Sequence, residues 1–314
     1  MVKKILTGGI LLISLGCTPA VKEITLKKEE VVIVKKGSFL FSEEEKSFIK
    51  REAQKLGIVV PENKEIEKHL RQLLKDKRSL ELALRRANLY IPYIKPILIE
   101  HNLPEELALL PLIESKFNPF AVSPSGAAGL WQIMPSTARR YGLIVSKEVD
   151  ERFDLIKSTR TAALYLRDLY SLFNSWELAL AAYNCGEGCV KRRTGGKDFW
   201  KKKHRLPHQT RKYVPKFFAA LLVVRSPERY GLKVKLDTFK IKSFKLKENR
   251  KVKNLITDLK IKEAVFRDMN PHLRGDYVPA GSYVYIPEKP TPKEGNEFVK
   301  IIVLDNGATL YIKE

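Results

Sequence analysis

The chain has 314 residues, enough for one large domain with a small one or for two domains of medium size. Its apolar and aromatic content is ordinary for a globular protein, and the absence of a long biased tract excludes a low-complexity chain. The formal net charge of +22 is not ordinary, and it indicates an acidic partner such as nucleic acid, an anionic membrane surface or an anionic cell-wall polymer.

The N-terminal residues have the pattern of a secretory signal. Two lysines precede the apolar run Ile5–Leu15, which is too short to span a membrane, and Gly16 and Cys17 follow. A cysteine directly after a small residue resembles a bacterial lipobox, so residues 1–17 are predicted to be a lipoprotein signal peptide with Cys17 as the lipidation site. A cleaved soluble form and an uncleaved anchor are the alternatives. Thr18 favours the outer membrane by resemblance.

Export narrows the choice of partner. An exported protein rarely meets nucleic acid, so we expect no nucleic-acid partner and place the protein in the periplasm, lipid-anchored through Cys17. Residues 18–40 are predicted to be a tether, because they are rich in Lys, Glu and Val without a clear period.

Residues 41–226 are predicted to form a single all-α domain. Ser42 followed by three glutamates is typical of a helix N-cap, and apolar residues then recur at helical spacing. Further helices are expected at Leu80–Ala87 and Tyr90–His101. The other predicted helices begin near Ile66, Pro104, Ser136, Ser158, Trp176 and Val214.

The helix expected after Pro104 carries an unusual acid. Leu107, Leu110, Glu114 and Phe117 share one stripe at helical spacing, and Asn118–Pro119 is expected to end the helix. Burial among apolar neighbours should raise the pKa of Glu114, which is the requirement for a general acid. The alternative is a glutamate at the edge of the stripe that reaches solvent.

The character of the chain changes after Pro227. Residues 227–247 are predicted to be a linker or an exposed strand, because Lys233 to Lys247 alternates apolar and basic residues. Residues 248–289 contain two predicted short helices and a closing strand, and they resemble a LysM-type glycan-binding module. The alternative is a β-rich tail of another kind. Residues 290–314 are predicted to form a hairpin around an Asp-Asn-Gly turn.

Two cysteines, Cys185 and Cys189, stand four residues apart. In an oxidising compartment a short-range disulfide can form between them, and two free thiols are the alternative. With His204 and His208 they also resemble a zinc site, but the cysteine spacing is wider than the common form. We therefore expect no metal.

A set of short motifs gives the chain a family resemblance. Their order and spacing resemble the catalytic domain of bacterial lytic transglycosylases, in particular the membrane-bound lytic murein transglycosylase D type. The resemblance implies a mainly α protein with a lysozyme-like all-α catalytic domain and a small C-terminal α+β (LysM-like) region. The motifs are Glu114-Ser115, Ser123, Gly126 to Pro135 (GAAGLWQIMP), Ala181-Ala182-Tyr183-Asn184, Leu206-Pro207 and Tyr213-Val214-Pro215-Lys216.

By the same resemblance, Glu114 is the catalytic acid and then the base. It would protonate the glycosidic oxygen between N-acetylmuramic acid and N-acetylglucosamine, and the muramoyl 6-hydroxyl would close on the anomeric carbon to give a 1,6-anhydro sugar. The partners would be peptidoglycan strands and the membrane, and no cofactor is expected. The residues expected to bind substrate are Ser123, Gln132, Met134, Tyr183, Asn184 and Tyr213.

Two other functions stay open. A hydrolytic muramidase of the usual kind needs a second carboxylate. Asp150, Glu151 and Asp154 cluster in a predicted loop, but nothing in the sequence places them opposite Glu114. Helix capping or an ion pair with Arg152 or Arg160 explains them at least as well. The third possibility is a non-catalytic wall-binding lipoprotein. Trp131 is expected to belong to the core.

Overall fold

A computed structural model describes most of the chain outside its N-terminal part. The described residues belong to one compact unit that begins at residue 40. The predicted signal peptide, Cys17 and the tether lie outside the described residues. Among the residues described, no helix is both long and apolar enough to cross a bilayer. The described ranges are 42–57, 64–234 and 240–288, with the backbone of two strands at 301–303 and 309–311.

The prediction of a mainly α chain with a small α+β region at its C-terminal end is confirmed. Helices dominate the described residues up to 234, and the strands of the described part follow residue 240. In chain order the α-helices are α1 Glu43–Lys55, α2 Lys64–Leu73, α3 Lys77–Glu100, α4 Leu110–Glu114, α5 Pro135–Arg140, α6 Leu155–Phe173, α7 Trp176–Cys185, α8 Glu187–Thr194, α9 Phe199–Lys202, α10 Tyr213–Arg225, α11 Val252–Leu259 and α12 Glu263–Met269.

The start of α1 follows from its sequence. The Ser42 hydroxyl accepts a hydrogen bond from the Glu45 N–H at 3.2 Å, and the Glu45 carboxylate accepts one from the Ser42 N–H at 2.9 Å. This reciprocal pair is a capping box, which satisfies N–H groups that a helix start leaves free. Glu45 also accepts a hydrogen bond from the Tyr230 hydroxyl at 2.7 Å, so the capped end of α1 is held against a later part of the chain.

The prediction of two helices at Leu80–Ala87 and Tyr90–His101 is wrong, because one continuous helix, α3, spans both. Pro92 and Pro96 lie inside it. Each proline removes one backbone donor, and the helix continues because its buried face stays in register across them. The buried residues of that face are Leu80, Ala83, Leu84, Ala87, Ile94, Ile97 and Leu98.

The helix that carries Glu114 is shorter than predicted. A 3-10 helix, Glu105–Leu109, leads into α4, and α4 ends at Glu114 itself rather than near Asn118. Lys116 and Phe117 have left-handed backbone, with φ of 52° and 53°, so the helix does not continue through them. The apolar stripe is therefore not on one helix, although its members Leu107, Leu110 and Phe117 are each 0% exposed.

Helix α10 is the central helix of the α domain. It packs against α2, α7 and α4, and it is apolar on nearly all sides. A helix of that composition is stable only when other elements surround it. Its first residue, Tyr213, is 4% exposed and so is buried in the domain.

The C-terminal module, defined here as residues 241–287, has its own small core. It contains two antiparallel strand pairs and the helices α11 and α12. The first strand, β1, lies in the range 227–247, for which the sequence predicts either a linker or a strand. The LysM assignment stays a prediction. The strands are β1 Ile241–Lys245, β2 Arg250–Lys251, β3 Tyr277–Val278 and β4 Tyr283–Pro287, with β1 paired to β4 and β2 to β3. The core residues are Leu246, Val252, Leu255, Phe266, Leu273, Val278 and Val284.

A further strand pair follows the module. Strands β5 Ile301–Val303 and β6 Thr309–Tyr311 pair in antiparallel fashion, with Ile302 opposite Leu310. The Asp-Asn-Gly turn predicted between them lies outside the described residues.

Candidate active site

The Glu114 carboxyl lies where the end of α4 meets the first residue of α10. The Tyr213 hydroxyl donates a hydrogen bond to Glu114 Oε1. The Glu114 side chain is half-buried, with protein packed closely around it, while Tyr213 is buried. An acid with a buried partner on one side and access from the other has the arrangement needed to reach a ligand.

Burial raises the pKa of Glu114 from 4.5 to about 7. The hydrogen bond from Tyr213 and the positive charge of Lys216 both act in the opposite direction, because each favours the ionised carboxylate. Desolvation is the larger effect. A carboxyl group with a pKa near neutrality can donate a proton in one step and accept one in the next.

Tyr183, on α7, lies beside the same carboxyl. Burial and the negative charge of Glu114 raise the pKa of Tyr183 well above its usual value, so its hydroxyl stays a neutral donor. That hydroxyl donates to the Trp131 carbonyl at 2.8 Å, which joins α7 to the segment before Gln132. Trp131 belongs to the core, as predicted: it is 0% exposed, and its Nε1 donates to Thr159 Oγ1 at 2.9 Å.

Ser123, Gln132 and Met134 lie on one loop, residues 121–134, called here the 121–134 loop. Ser123 Oγ accepts from the Ala127 N–H at 3.0 Å, which closes a tight turn. Gln132 has a left-handed φ of 48°, and its Nε2 donates to the carbonyls of Ala121 at 3.1 Å and Gly129 at 2.9 Å. Both polar side chains therefore shape the loop itself. Met134 is 39% exposed at its end.

The glycine at position 129 is required by a contact inside the protein. Gly129 has a φ of 77°, and a Cβ built there would lie 2.0 Å from the Arg152 carbonyl oxygen. The close approach is between the 121–134 loop and the chain at Arg152.

Asn184 lies at the exposed end of α7. Its Oδ1 accepts a hydrogen bond from the Thr210 hydroxyl at 2.8 Å, which joins α7 to the turn before α10. The next residue, Cys185, forms a disulfide with Cys189 at a Cα–Cα distance of 5.9 Å. The bridge spans the corner between α7 and α8, so free thiols and the zinc alternative are both wrong for this pair.

The three acids considered as a second catalytic carboxylate all have structural partners. Each is buried, with 4% exposure or less. Asp150 pairs with Arg152 through two hydrogen bonds, and Glu151 pairs with Lys157. Asp154 caps α6 by accepting from the Lys157 N–H at 2.8 Å. Their roles are therefore capping and ion pairing, the alternative that the sequence had left open.

The segment that contains this site matches a known family model. Residues 93–206 match the model described as the Transglycosylase SLT domain. Residues 93–206 of the chain are a transglycosylase SLT domain. The resemblance to lytic transglycosylases inferred from the motifs is thereby confirmed.

Relatives of the SLT domain cover only part of the chain. Over 188 residues the chain is 39% identical to membrane-bound lytic murein transglycosylase D of Escherichia coli (strain K12), an alignment that covers 57% of this chain and 41% of that protein. Over 108 residues it is 45% identical to a putative tributyltin chloride resistance protein of Alteromonas sp. (strain M-1), covering 34% of this chain and 52% of that protein. The crystal structure of the 70 kDa soluble lytic transglycosylase of Escherichia coli aligns at 22% identity and a TM-score of 0.39, over 54% of this chain and 31% of that chain.

The SLT domain match and the site do not coincide fully. The matched segment includes Glu114 and all the predicted substrate residues except Tyr213, which lies beyond the last matched residue, 206. Of the predicted site residues in the described ranges, Tyr213 alone is hydrogen-bonded to Glu114. Two contributors were not assigned to the site from sequence: Thr210, which binds Asn184, and Arg152, which holds the 121–134 loop. Arg152 stands among acids in the sequence, and nothing local shows which part of the chain it contacts.

Proposed function

We propose that the protein is a peptidoglycan lytic transglycosylase that cleaves the bond between N-acetylmuramic acid and N-acetylglucosamine. The observation that carries the proposal is the Glu114 carboxyl, which lies inside the SLT domain, accepts a hydrogen bond from Tyr213 and has a pKa raised to about 7. The relative named as a murein transglycosylase supports murein as the substrate.

In the first step, protonated Glu114 donates its proton to the glycosidic oxygen. The bond between that oxygen and the anomeric carbon of the muramic acid breaks, the electron pair stays on oxygen, and the N-acetylglucosamine leaves as an alcohol. The remaining centre has oxocarbenium character, which the substrate's own acetamido group would stabilise. Glu114 is now a carboxylate, and the Tyr213 hydroxyl stabilises that charge by hydrogen bonding.

In the second step, the Glu114 carboxylate removes the proton from the muramoyl 6-hydroxyl. The freed oxygen forms a bond to the anomeric carbon and gives the 1,6-anhydro sugar. Glu114 regains the proton that it lost, so the cycle closes and no water is consumed. A pKa near 7 suits both halves, because donor and acceptor forms are comparably populated near neutral pH.

The state of the three acids considered as a second carboxylate supports a single acid/base. A hydrolase of the retaining or inverting kind needs a second carboxylate that is free to act as nucleophile or to activate water. Asp150, Glu151 and Asp154 are 1%, 4% and 0% exposed, and each is bound to a partner within the protein. None of the three is available for that role without breaking a buried contact.

Digestion of purified peptidoglycan by the wild type and Glu114→Gln, followed by mass spectrometry of the muropeptides, tests the proposal. Glu105→Gln is the matched control, because the same chemical change is made at a half-exposed acid paired with Lys95. Products lighter by one water from the wild type and the control, but not from Glu114→Gln, are expected. Products that have gained a water would indicate the muramidase alternative, and no products from any form would indicate a wall-binding lipoprotein.

We further propose that Cys17 is lipidated and holds the enzyme in the periplasm, at the outer membrane. The sequence around Cys17 supports this, and so does the relative named as membrane-bound. Cys17→Ser should abolish incorporation of labelled palmitate and move the protein to the soluble periplasmic fraction. A variant that stays in the membrane fraction without label would contradict the anchor.

A further inference from the structure

The C-terminal module is joined to the SLT domain by buried polar contacts. The Tyr285 hydroxyl donates to Asp154 Oδ1 at 2.8 Å and accepts from the Ile156 N–H at 3.1 Å. Tyr285 is 3% exposed and Asp154 is 0% exposed. A buried phenol is costly unless hydrogen-bonded, and in the docked module the Tyr285 hydroxyl finds both of these partners in the SLT domain.

Backbone hydrogen bonds extend this junction along the segment before α6. The Asp150 N–H donates to the His272 carbonyl at 3.0 Å, and the N–H groups of Arg274 and Gly275 both donate to the Glu148 carbonyl, at 2.8 Å and 3.0 Å. The Arg274 guanidinium also lies 3.4 Å from the Asp150 carboxylate. The module thus binds both the backbone and the side chain of the segment at Asp150.

The same segment supports the 121–134 loop. Asp150 holds the Arg152 guanidinium through two hydrogen bonds of 2.9 Å and 2.7 Å. Arg152 Nη1 in turn donates to the carbonyls of Gly126 at 2.6 Å and Ile133 at 3.3 Å. Gly129 packs against the Arg152 backbone so closely that no side chain fits between them. The position of Arg152 therefore determines where this loop lies.

We propose that the C-terminal module is a fixed support of the 121–134 loop, and that Tyr285, Asp150 and Arg152 are positioning residues. The contacts run without interruption from the module through Asp150 and Arg152 to the loop that carries Ser123 and Gln132. A module that moved freely on a linker would lose the hydrogen bonds of the Tyr285 hydroxyl to Asp154 and to the Ile156 N–H, and Asp154 would keep only its capping bond from the Lys157 N–H. The consequence for catalysis rests on the proposed function; the structural coupling does not.

Hydrogen exchange tests the coupling without any assay of activity. The amides of Ala128 and Ile133 donate to each other's carbonyls in the 121–134 loop, at 3.1 Å and 3.0 Å. In Tyr285→Phe we expect both amides to exchange about tenfold faster than in the wild type, because the loop loses support. Tyr277→Phe is the matched control: it removes a hydroxyl from an exposed tyrosine of the same module and should change neither amide.

A second pair of variants keeps the test decisive if Tyr285→Phe folds poorly, as judged by its circular dichroism and melting temperature. Arg274→Ala removes the ion pair between the module and Asp150, at a side chain that is 41% exposed and so can be replaced without disturbing the core. Its control is Arg250→Ala, which removes an ion pair with Asp258 inside the module. Unchanged exchange at the two loop amides in Tyr285→Phe and Arg274→Ala, with faster exchange inside the module, would overturn the proposal.

Kinetics on a soluble peptidoglycan fragment separate support from tethered binding. Because the loop carries the predicted substrate residues Ser123 and Gln132, misplacing it should lower kcat/KM for the soluble fragment about tenfold in Tyr285→Phe and Arg152→Lys. A module that only tethers the enzyme to the wall would instead raise KM for whole peptidoglycan and leave kcat/KM for the soluble fragment unchanged, which would overturn the positioning role. If the wild type does not cleave peptidoglycan, the proposed function fails, and the exchange result still decides whether the module supports the loop.

Discussion

Replacing Glu114 by glutamine should alter the stability of the protein in a pH-dependent way, besides removing activity. Glutamine has nearly the same shape and its carbonyl oxygen can still accept the Tyr213 hydrogen bond, but it cannot ionise. Burial raises the pKa of Glu114 above the value it has in the unfolded chain. The folded wild type therefore binds this proton more tightly than the unfolded chain does.

The size and sign of the effect follow from the pKa. The stabilising contribution of protonated Glu114 is fully present below about pH 4.5 and is lost as the pH rises through about 7. A rise of the pKa from 4.5 to about 7 corresponds to about 3 kcal/mol. Solvent reaches part of the side chain and weakens the desolvation, so we expect about 2 kcal/mol.

The assay is chemical unfolding of the wild type and Glu114→Gln at pH 4 and pH 8. The difference between their unfolding free energies cancels the titration of every other group that the substitution leaves unperturbed. Glu114→Gln should gain about 2 kcal/mol relative to the wild type between pH 4 and pH 8. A difference that is the same at both pH values would refute the raised pKa of Glu114, and with it the physical basis of the proposed acid/base role. Glu105→Gln, the same chemical change at a half-exposed acid, is the matched control variant.

Three further predictions concern the surroundings of this acid. Tyr213→Phe removes a hydrogen bond that lowers the pKa of the neighbouring carboxyl, so the alkaline limb of the activity profile should move up by about one pH unit, and an unmoved limb would contradict this. Gly129→Ala should destabilise the protein by about 3 kcal/mol or more in thermal unfolding. The control Gly142→Ala, at a glycine with a similar φ of 79° and open space around it, should cost only about 1 kcal/mol. Equal costs would argue against the close backbone contact at Gly129. Loss of the Cys185–Cys189 bridge should lower the unfolding free energy by about 2 kcal/mol or less, because the bridge closes a very short loop. Unfolding with and without reductant measures this loss. The double serine variant is the control and should not respond to reductant.

Much of the α domain follows from local patterns in the sequence. Such patterns predict features that depend on residues within a few positions of one another. Examples are the Ser42 capping box, the start of α7 at Trp176 and the apolar helix α10. The extent predicted for the helix that carries Glu114 was wrong. Lys116 and Phe117 have left-handed backbone, and neither is a glycine or an asparagine, the residues that signal this conformation in a sequence.

The role of residues between 148 and 156 could not be predicted, because their partners are distant in the chain. Asp154 is recognisable as a helix cap, but its contact with Tyr285 joins positions 131 residues apart. Arg152 likewise binds carbonyls of the 121–134 loop, and a carbonyl group leaves no trace in a sequence. Only the folded chain shows that the C-terminal module reaches the segment on which that loop rests.

The amino-acid sequence by itself determined the mainly α fold and the family of the domain, and it supplied the proposal of Glu114 as the acid, since those depend on short motifs in a particular order. The tertiary structure decided what surrounds Glu114. Its pKa depends on desolvation by burial and on a hydrogen bond from Tyr213, which lies 99 positions later in the chain. This carboxyl is an acid near neutral pH because the folded chain encloses it and removes water from it. The helical stripe that the sequence predicts is not the cause.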